Sequence, residues 1–531
     1  MTDFNILVAT DLTEQGMNIL RANDGITVYT VPPNPQAVRE KLADAHAIIA
    51  RDDLPFDNAM IDAAPHLRVI GRMSASLSGI DVDAATKRGV IVMNTPGTNA
   101  IAAGEHTLAL MLALSRKLVT AHNSLKEGYW LLDRKRQAGT QLHGKTLGIV
   151  GLGRVGLIVA HRALSFGMTV LAYDPYLPED HVDDERVMLV NLQELLSRAD
   201  FVTIHVPATP ETRGMFNADV IARLKPGARL INTAHGSIID ESALAHAIKS
   251  GQLAGAALDV YAEEPPYNSP LIGGDHVIHT PHIGDNTVEA AQDLSIQIVT
   301  QVLDALNGDD YRNVVNLPFM PGIDFEDARP HMIMAERMGA ILHALARAPI
   351  RRLAVEYRGD ELSGLIRPVT VAILKGLLMP ALGESVNYIN APVIASERRI
   401  HVTQAKGLKS GDYTSLITCQ VTLDDSEQIS IGGTLLDRRE PHIVLINDYR
   451  MNFVPQGHLL IMGSFDQPGV IGRVGTMMAN NGVNIASWQT GRTQPGGHTL
   501  TVLTLDEPLP DAVLTELRAQ DFIRHAHQVT F

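Results

Sequence analysis

Cysteine is nearly missing from this chain. Its 531 residues hold one, Cys419, so neither a disulfide framework nor a paired-cysteine metal site can be built, and a reducing compartment suits it. Aromatic residues are 5% of the total, too few for platforms on which bases stack. Basic blocks are missing too. Against 44 Lys and Arg stand 59 Asp and Glu, a formal net charge of −15, which argues against nucleic acid as a partner. No unbroken apolar run reaches the ~18 residues of a membrane helix. The start, Met-Thr-Asp-Phe-Asn, carries an acid where a signal peptide carries bases. The expectation is a soluble cytoplasmic protein with no membrane partner and no metal. What is abundant is apolar residue, 45%, enough for each of about three or four domains to bury a core.

The densest motif is Gly151-Leu152-Gly153-Arg154-Val155-Gly156. It follows the apolar run Thr146 to Val150, opens a helical stretch to Phe166, and is followed by the run Thr169 to Tyr173 ending on Asp174. Strand, glycine turn, helix and acid together are the context of a dinucleotide site. The first glycine makes the tight turn, and the second lets backbone amides approach a pyrophosphate. The third lets helix and strand pack closely, and the acid takes the ribose hydroxyls. Pro175 follows Asp174 with no arginine for a 2′-phosphate, so NAD is expected rather than NADP.

Around this motif the chain divides. Residues 1–97 alternate β-type runs (Asn5 to Ala9, Ala47 to Ala50, Val69 to Arg72, Val90 to Met93) with helical stretches. Asn99 to Ala121 reads as one long helix joining two domains. Ala290 to Leu306 reads as another, returning through Val314-Val315-Asn316 to the first domain. The spacing predicts an α/β protein with two doubly wound parallel-sheet domains. These are a discontinuous substrate domain (1–97 and 285–316) and a Rossmann-type NAD domain (98–284). An α+β intervening domain follows (317–455), with Gly432-Gly433-Thr434 read as a turn. A ferredoxin-like domain closes the chain (456–531) in the order strand, helix, strand, strand, helix, strand.

With a nicotinamide present the natural chemistry is hydride transfer, which needs a base for a hydroxyl proton. His282, in Thr280-Pro281-His282-Ile283-Gly284, ends a strand-like run, where α/β sheets place ligands. Glu264 is the acid that would orient it. From spacing alone, a plain loop histidine and a solvated acid remain the simpler reading. Cys419, in an apolar strand, reads as a core residue.

The motifs, taken in order, resemble the D-isomer-specific 2-hydroxyacid dehydrogenases, in the long phosphoglycerate-oxidising form with intervening and ACT domains. The resemblance rests on Gly71-Arg72, Asn94-Thr95-Pro96-Gly97 and Ala103-Gly104-Glu105-His106. It also rests on the fingerprint, His205-Val206-Pro207, Leu258-Asp259-Val260, Leu374-Lys375-Gly376, Val386-Asn387-Tyr388 and Asp466-Gln467-Pro468-Gly469. It implies NAD-dependent oxidation of 3-phospho-D-glycerate to 3-phosphohydroxypyruvate, with another D-2-hydroxy acid or a non-catalytic NAD- and amino-acid-binding role as alternatives. It implies catalysis by His282 and Glu264. Cofactor contacts would come from Gly151, Gly153, Arg154, Val155, Gly156, Asp174, Pro207, Thr212, Thr233, Ala234, Asp259, His282 and Gly284. Substrate contacts would come from Arg51, Arg72, Ser74, Ala75, Ser76 and Arg134. An amino-acid effector such as L-serine would sit at Asp466 and Asn484, in a homo-oligomer of two or four chains.

Two departures stand out. His235, in Asn232-Thr233-Ala234-His235-Gly236, occupies the position of the family's catalytic Arg. A histidine has at most two donors and is mostly neutral at pH 7, where an arginine offers a charged planar fork. His235 and Arg72 are expected to share that role. The second departure is Met73-Ser74-Ala75-Ser76, where serines replace the glycines of a carboxylate-binding loop. A serine at positive φ there would be strained.

Overall fold

The computed structural model describes residues 3–52, 54–130, 138–178, 184–274, 276–319, 325–407, 413–437 and 439–531. They form two compact units. One comprises Met1–Asp11, Leu20–Asn94 and Ile298–Phe531, the other Leu12–Ile19 and Thr95–Gln297.

The first unit opens with a five-stranded parallel sheet: β1 (Phe4–Ala9), β2 (Ile26–Thr30), β3 (Ala47–Ala50), β4 (Val69–Arg72) and β5 (Ile91–Met93), in the order β2-β1-β3-β4-β5. The central strands are continuous apolar runs because helices cover both faces; Ala47–Ala50 is wholly buried. Edge strand β2 was not anticipated, because half-exposed Ile26–Thr30 lacks such a run. After Val288–Asn307 the chain comes back to this sheet. Val314 bridges Met93, and the Asn316 side chain accepts from the Val92 amide at 2.9 Å.

The second unit carries a seven-stranded parallel sheet. Its strands are β6 (Thr146–Val150), β7 (Thr169–Tyr173), β8 (Val187–Leu189), β9 (Phe201–Ile204), β10 (Arg229–Asn232), β11 (Gly255–Leu258) and β12 (Val277–His279). The order β12-β11-β10-β9-β6-β7-β8 is doubly wound, and the direction of winding reverses between β6 and β9. The single helix expected over Asn99 to Ala121 is two. Ala100–Arg116 ends at Lys117, whose φ of 55° puts it in the left-handed region, and Leu118–Lys126 restarts from it. Rather than linking domains, the first of these helices is a core element, with Leu108, Met111 and Leu114 packed among Val159, Ala163 and Ile231.

In the first unit a six-stranded mixed sheet follows: β13 (Ile350–Arg358), β14 (His401–Lys406), β15 (Leu416–Leu423), β16 (Gln428–Leu436), β17 (Glu440–Ile446) and β18 (Tyr449–Phe453). Only β13 and β14 pair in parallel. Gly432 and Gly433 are not a turn. They lie inside β16 at a register shift, where Met334 and Met338 sulfurs occupy the space a Gly433 Cβ would need. Cys419 is fully buried in this core. One segment, Ile366–Ser385, is by length and composition long and apolar enough to cross a bilayer, although Arg367, Lys375 and Glu384 interrupt it. More than half of it is buried, against helix Phe325–Leu345 and the sheet, which accounts for its apolarity. The last sheet is antiparallel, with β19 (His458–Phe465), β20 (Ile485–Arg492), β21 (His498–Leu505) and β22 (Ile523–Thr530) in the ferredoxin-like order β20-β21-β19-β22. Leu459, Ile461, Leu500 and Val502 join the core of the mixed sheet.

Candidate active site

The glycine fingerprint lies where β6 turns into helix Arg154–Ser165, at the switch point of the seven-stranded sheet. Gly151 has φ 96°, and a Cβ on Gly156 would sit 2.2 Å from the Gly151 carbonyl oxygen, so both glycines are required by the fold itself. Gly153 differs. A Cβ there meets nothing within 4 Å, so its demand for smallness comes from outside the protein. Gly153 is also the N-cap of the helix and supplies no side-chain acceptor, so the amides of Arg154 and Val155 open the helix uncapped. Uncapped amides, positive helix end and open space fit a pyrophosphate. Asp174 follows β7, accepting from the Leu152 amide at 3.0 Å and the Tyr176 amide at 3.0 Å. It stands beside the turn, where a ribose acceptor belongs. The Arg154 guanidinium is turned away from the helix end and donates to the Pro96 carbonyl.

Further cofactor candidates line the same sheet edge. Thr212 Oγ1 donates to the Pro207 carbonyl at 2.5 Å, and Thr233 Oγ1 is 2.7 Å from Thr107 Oγ1. The Ala234 amide donates to Asn232 Oδ1 at 3.0 Å, and Asn232 Nδ2 donates to the His235 carbonyl at 2.9 Å. Asn232 thereby fixes the path of the loop after β10.

His282 follows β12. Its Nδ1 lies 2.7 Å from Glu264 Oε2, and the other Glu264 oxygen accepts from the Tyr261 amide at 3.1 Å. Burial works against a charged ring, but the Glu264 hydrogen bond and charge, aided by Asp259 and Asp285, outweigh it and raise the His282 pKa. His282 holds φ 53°, an uncommon backbone for a non-glycine residue. Asp259 supplies the restraint. Its carbonyl accepts from the His282 amide at 2.9 Å, and its carboxylate accepts from Ile283 at 3.0 Å, Gly284 at 2.7 Å and Thr280 Oγ1 at 2.6 Å. His106 Nε2 lies 3.3 Å away. Burial works against this charge, yet His106, Thr280 and the two amides hold the Asp259 carboxyl far below the usual carboxylate range. Asp259 and Gly284 were expected to touch cofactor; here the carboxylate accepts from the Gly284 amide, anchoring the loop of His282. The sequence offered no sign of this anchoring role.

His235 stands exposed at the same rim. The next residue is held tightly: a Cβ on Gly236 would come within 1.8 Å of the Tyr261 carbonyl carbon, so the loop presses against the segment leading to Glu264. Desolvation, repulsion from His282 and repulsion from Arg213 lower the His235 pKa against the pull of Glu264. Both effects favour the uncharged form of this ring.

In the other unit, Arg72 is not a free cation. Its side chain is fully buried and donates to the carbonyls of Arg51, Leu54 (3.1 Å) and Ser78 (3.4 Å). Arg72 was expected to contact substrate; here its side chain lies buried beneath this loop. A guanidinium whose donors close a loop has little left to offer. Arg51 is exposed. Neither Ser74 nor Ser76 adopts positive φ, so the expected strain is absent. Ser74 Oγ donates to Asp52 at 2.5 Å and accepts the Ser76 amide at 3.1 Å, and Ser76 Oγ accepts the Ser78 amide at 3.1 Å. The serines thus consume amides that a glycine loop would leave open. Ala75 is exposed between them. Arg134 lies outside the described residues. In the last sheet, Asp466 accepts from the Gly496 amide at 2.9 Å and faces Arg492 at 3.5 Å, and Asn484 donates to Asp506 at 2.6 Å.

Residues 108–284 match the NAD binding domain of the D-isomer specific 2-hydroxyacid dehydrogenases. Residues 327–447 match the D-3-phosphoglycerate dehydrogenase intervening domain, and 458–522 the ACT domain. The chain is 39% identical to D-3-phosphoglycerate dehydrogenase of Synechocystis sp. over 99% of this chain and 94% of that one. It is 39% identical to that of Methanocaldococcus jannaschii over 97% of each. Among solved structures, D-lactate dehydrogenase from Aquifex aeolicus, complexed with NAD and lactic acid, is similar with a TM-score of 0.52 and 28% identity, over 59% of this chain and 98% of that one.

Proposed function

Because the chain belongs to the D-3-phosphoglycerate dehydrogenases, we propose that it oxidises 3-phospho-D-glycerate to 3-phosphohydroxypyruvate with NAD, opening the phosphorylated route to L-serine. It is an NAD-dependent 2-hydroxyacid dehydrogenase. The observation that carries the mechanism is the 2.7 Å contact between His282 Nδ1 and Glu264. With Nδ1 holding its proton toward Glu264, Nε2 is the free base that receives the hydroxyl proton. NAD, when bound, accepts the hydride. Glu264 stabilises the imidazolium that forms, and the Asp259 anchor keeps His282 in its left-handed backbone as the charge changes. The uncapped amides of Arg154 and Val155 would hold the pyrophosphate, and Asp174 the ribose. Arg51 is the exposed cation we assign to the substrate phosphate.

The ACT domain is read as an amino-acid sensor, with Asp466 and Asn484 gripping L-serine in a homo-oligomer located in the cytoplasm. Its domain match supports an amino-acid effector. Initial rates of NAD reduction with 3-phosphoglycerate, set against non-phosphorylated D-2-hydroxy acids, test the substrate. The expectation is turnover that depends on the phosphate and is lost in His282→Ala. Equal turnover of D-lactate or D-glycerate would overturn the phosphorylated assignment.

A further inference from the structure

The site as described lacks a fixed positive charge for the acid's carboxylate. His235, whose pKa is lowered by desolvation and by repulsion from His282 and Arg213, does not supply one. A 2-oxo acid nonetheless brings a carboxylate and develops charge on the adjacent oxygen, and a desolvated anion requires charged or multiple donors.

One residue of the same unit fits. The turn at 209–214 is tightly built: Thr209 donates its amide to Thr212 Oγ1 at 2.8 Å, the Arg213 amide donates to the Thr209 carbonyl at 3.0 Å, and Gly214 turns at φ 64°. The turn is then stitched to the His235 loop. The Gly214 amide donates to the Ser237 carbonyl at 2.9 Å, the Phe216 amide to the Ile238 carbonyl at 2.9 Å, and Phe216 bridges Ile239 in parallel. Arg213 therefore leaves its backbone immediately before the bond that ties it to the loop of His235. Its side chain is exposed, and no acid or carbonyl among the described residues takes its guanidinium. Its charge is felt at His235, which also feels His282 and Glu264. We propose that Arg213 is the carboxylate-gripping cation of this site, reaching it from the turn stitched to the loop of His235, with the exposed His235 ring as a second donor. This rests on the dehydrogenase reading above and adds a substrate-binding residue to it.

The test uses full-length protein saturated with NADH and titrated with oxamate, an unreactive amide analogue of a 2-oxo acid, alongside a direct NADH titration. Arg213→Ala should weaken oxamate about ten- to a hundredfold and raise KM for the oxo acid by a similar factor. Arg213→Lys should recover part of this, since the charge but not the planar fork returns. NADH affinity should stay unchanged. Adding His235→Arg to Arg213→Ala should restore oxamate binding. Unchanged oxamate affinity in Arg213→Ala overturns the proposal. So does parallel loss of NADH affinity, which would place Arg213 on the cofactor. A parent protein that binds NADH but neither oxamate nor any oxo acid would sink the dehydrogenase reading itself, and this proposal with it.

Discussion

Glu264 holds the Nδ1 edge of His282 at 2.7 Å and takes the Tyr261 amide with its other oxygen, so one carboxylate fixes both the ring and the loop beside it. The pair makes the base usable. The raised His282 pKa means the neutral ring needed for oxidation accumulates only as pH climbs through that raised value. Replacing Glu264 by Gln removes the charge and should move the rising limb of kcat/KM for the hydroxy acid to lower pH. The reverse reaction, which needs the protonated ring, should begin to fall at lower pH as well. A limb that stays in place would show that Glu264 does not set the base. His282→Ala should cost about 10²–10⁴ in rate.

Asp259 is the anchor on which the His282 backbone depends. Replacing it with Ala leaves the amides of Ile283 and Gly284 and the Thr280 hydroxyl without their buried acceptor, and should cost about 2–5 kcal/mol, read as a lower urea midpoint. The sign with pH follows from its depressed pKa. Relative to an unfolded Asp near ~3.9, the stabilisation is complete above that value and is lost as pH falls toward the folded one. Thermal melts of parent and variant should therefore converge in strong acid; curves that stay parallel down to low pH would contradict this.

Gly153 and Gly156 should fail in opposite ways. Gly156→Ala drives a methyl against the Gly151 carbonyl and should destabilise the cofactor-free protein by about 1–3 kcal/mol. Gly153→Ala meets no protein atom at an ordinary helix-start backbone of φ −73°, so the cofactor-free melt should hardly move. NAD at a hundred times the parent's Kd should add about 2.7 kcal/mol to the parent and little to Gly153→Ala. Melting curves with and without NAD decide it, and full NAD stabilisation of Gly153→Ala would refute the pyrophosphate placement.

Cys419 is buried, and burial pushes its thiol far above the usual cysteine range. As the one cysteine of the chain, it reports on the core beneath the mixed sheet. Maleimide labelling should be negligible in native buffer and rise in step with urea unfolding. Fast labelling without denaturant would show that this core opens on its own.

The sequence reveals local chemistry better than direction. Gly151 to Asp174 form a self-contained unit, so turn, helix and acid are all legible in the sequence. Cys419 was likewise legible, because an alternating apolar strand states its own burial. Arg72 was not. A charge at the end of a strand reads as surface, and only its bonds to the carbonyls of Arg51 and Leu54 show that the guanidinium turns inward. Gly432 and Gly433 read as a turn because glycine pairs usually break strands, whereas here helix methionines fill the space of the missing side chain. Edge strand Ile26–Thr30 carries too weak a pattern to be seen. Arg213 gave no signal, since a charged residue on a loop has meaning only beside what the fold brings next to it.

The close approach of Gly236 to Tyr261 leaves the backbone at position 235 no latitude, whatever side chain it carries. Mutation can change what stands there without changing where it stands. A histidine can therefore stand there without unravelling the loop, and so could an arginine.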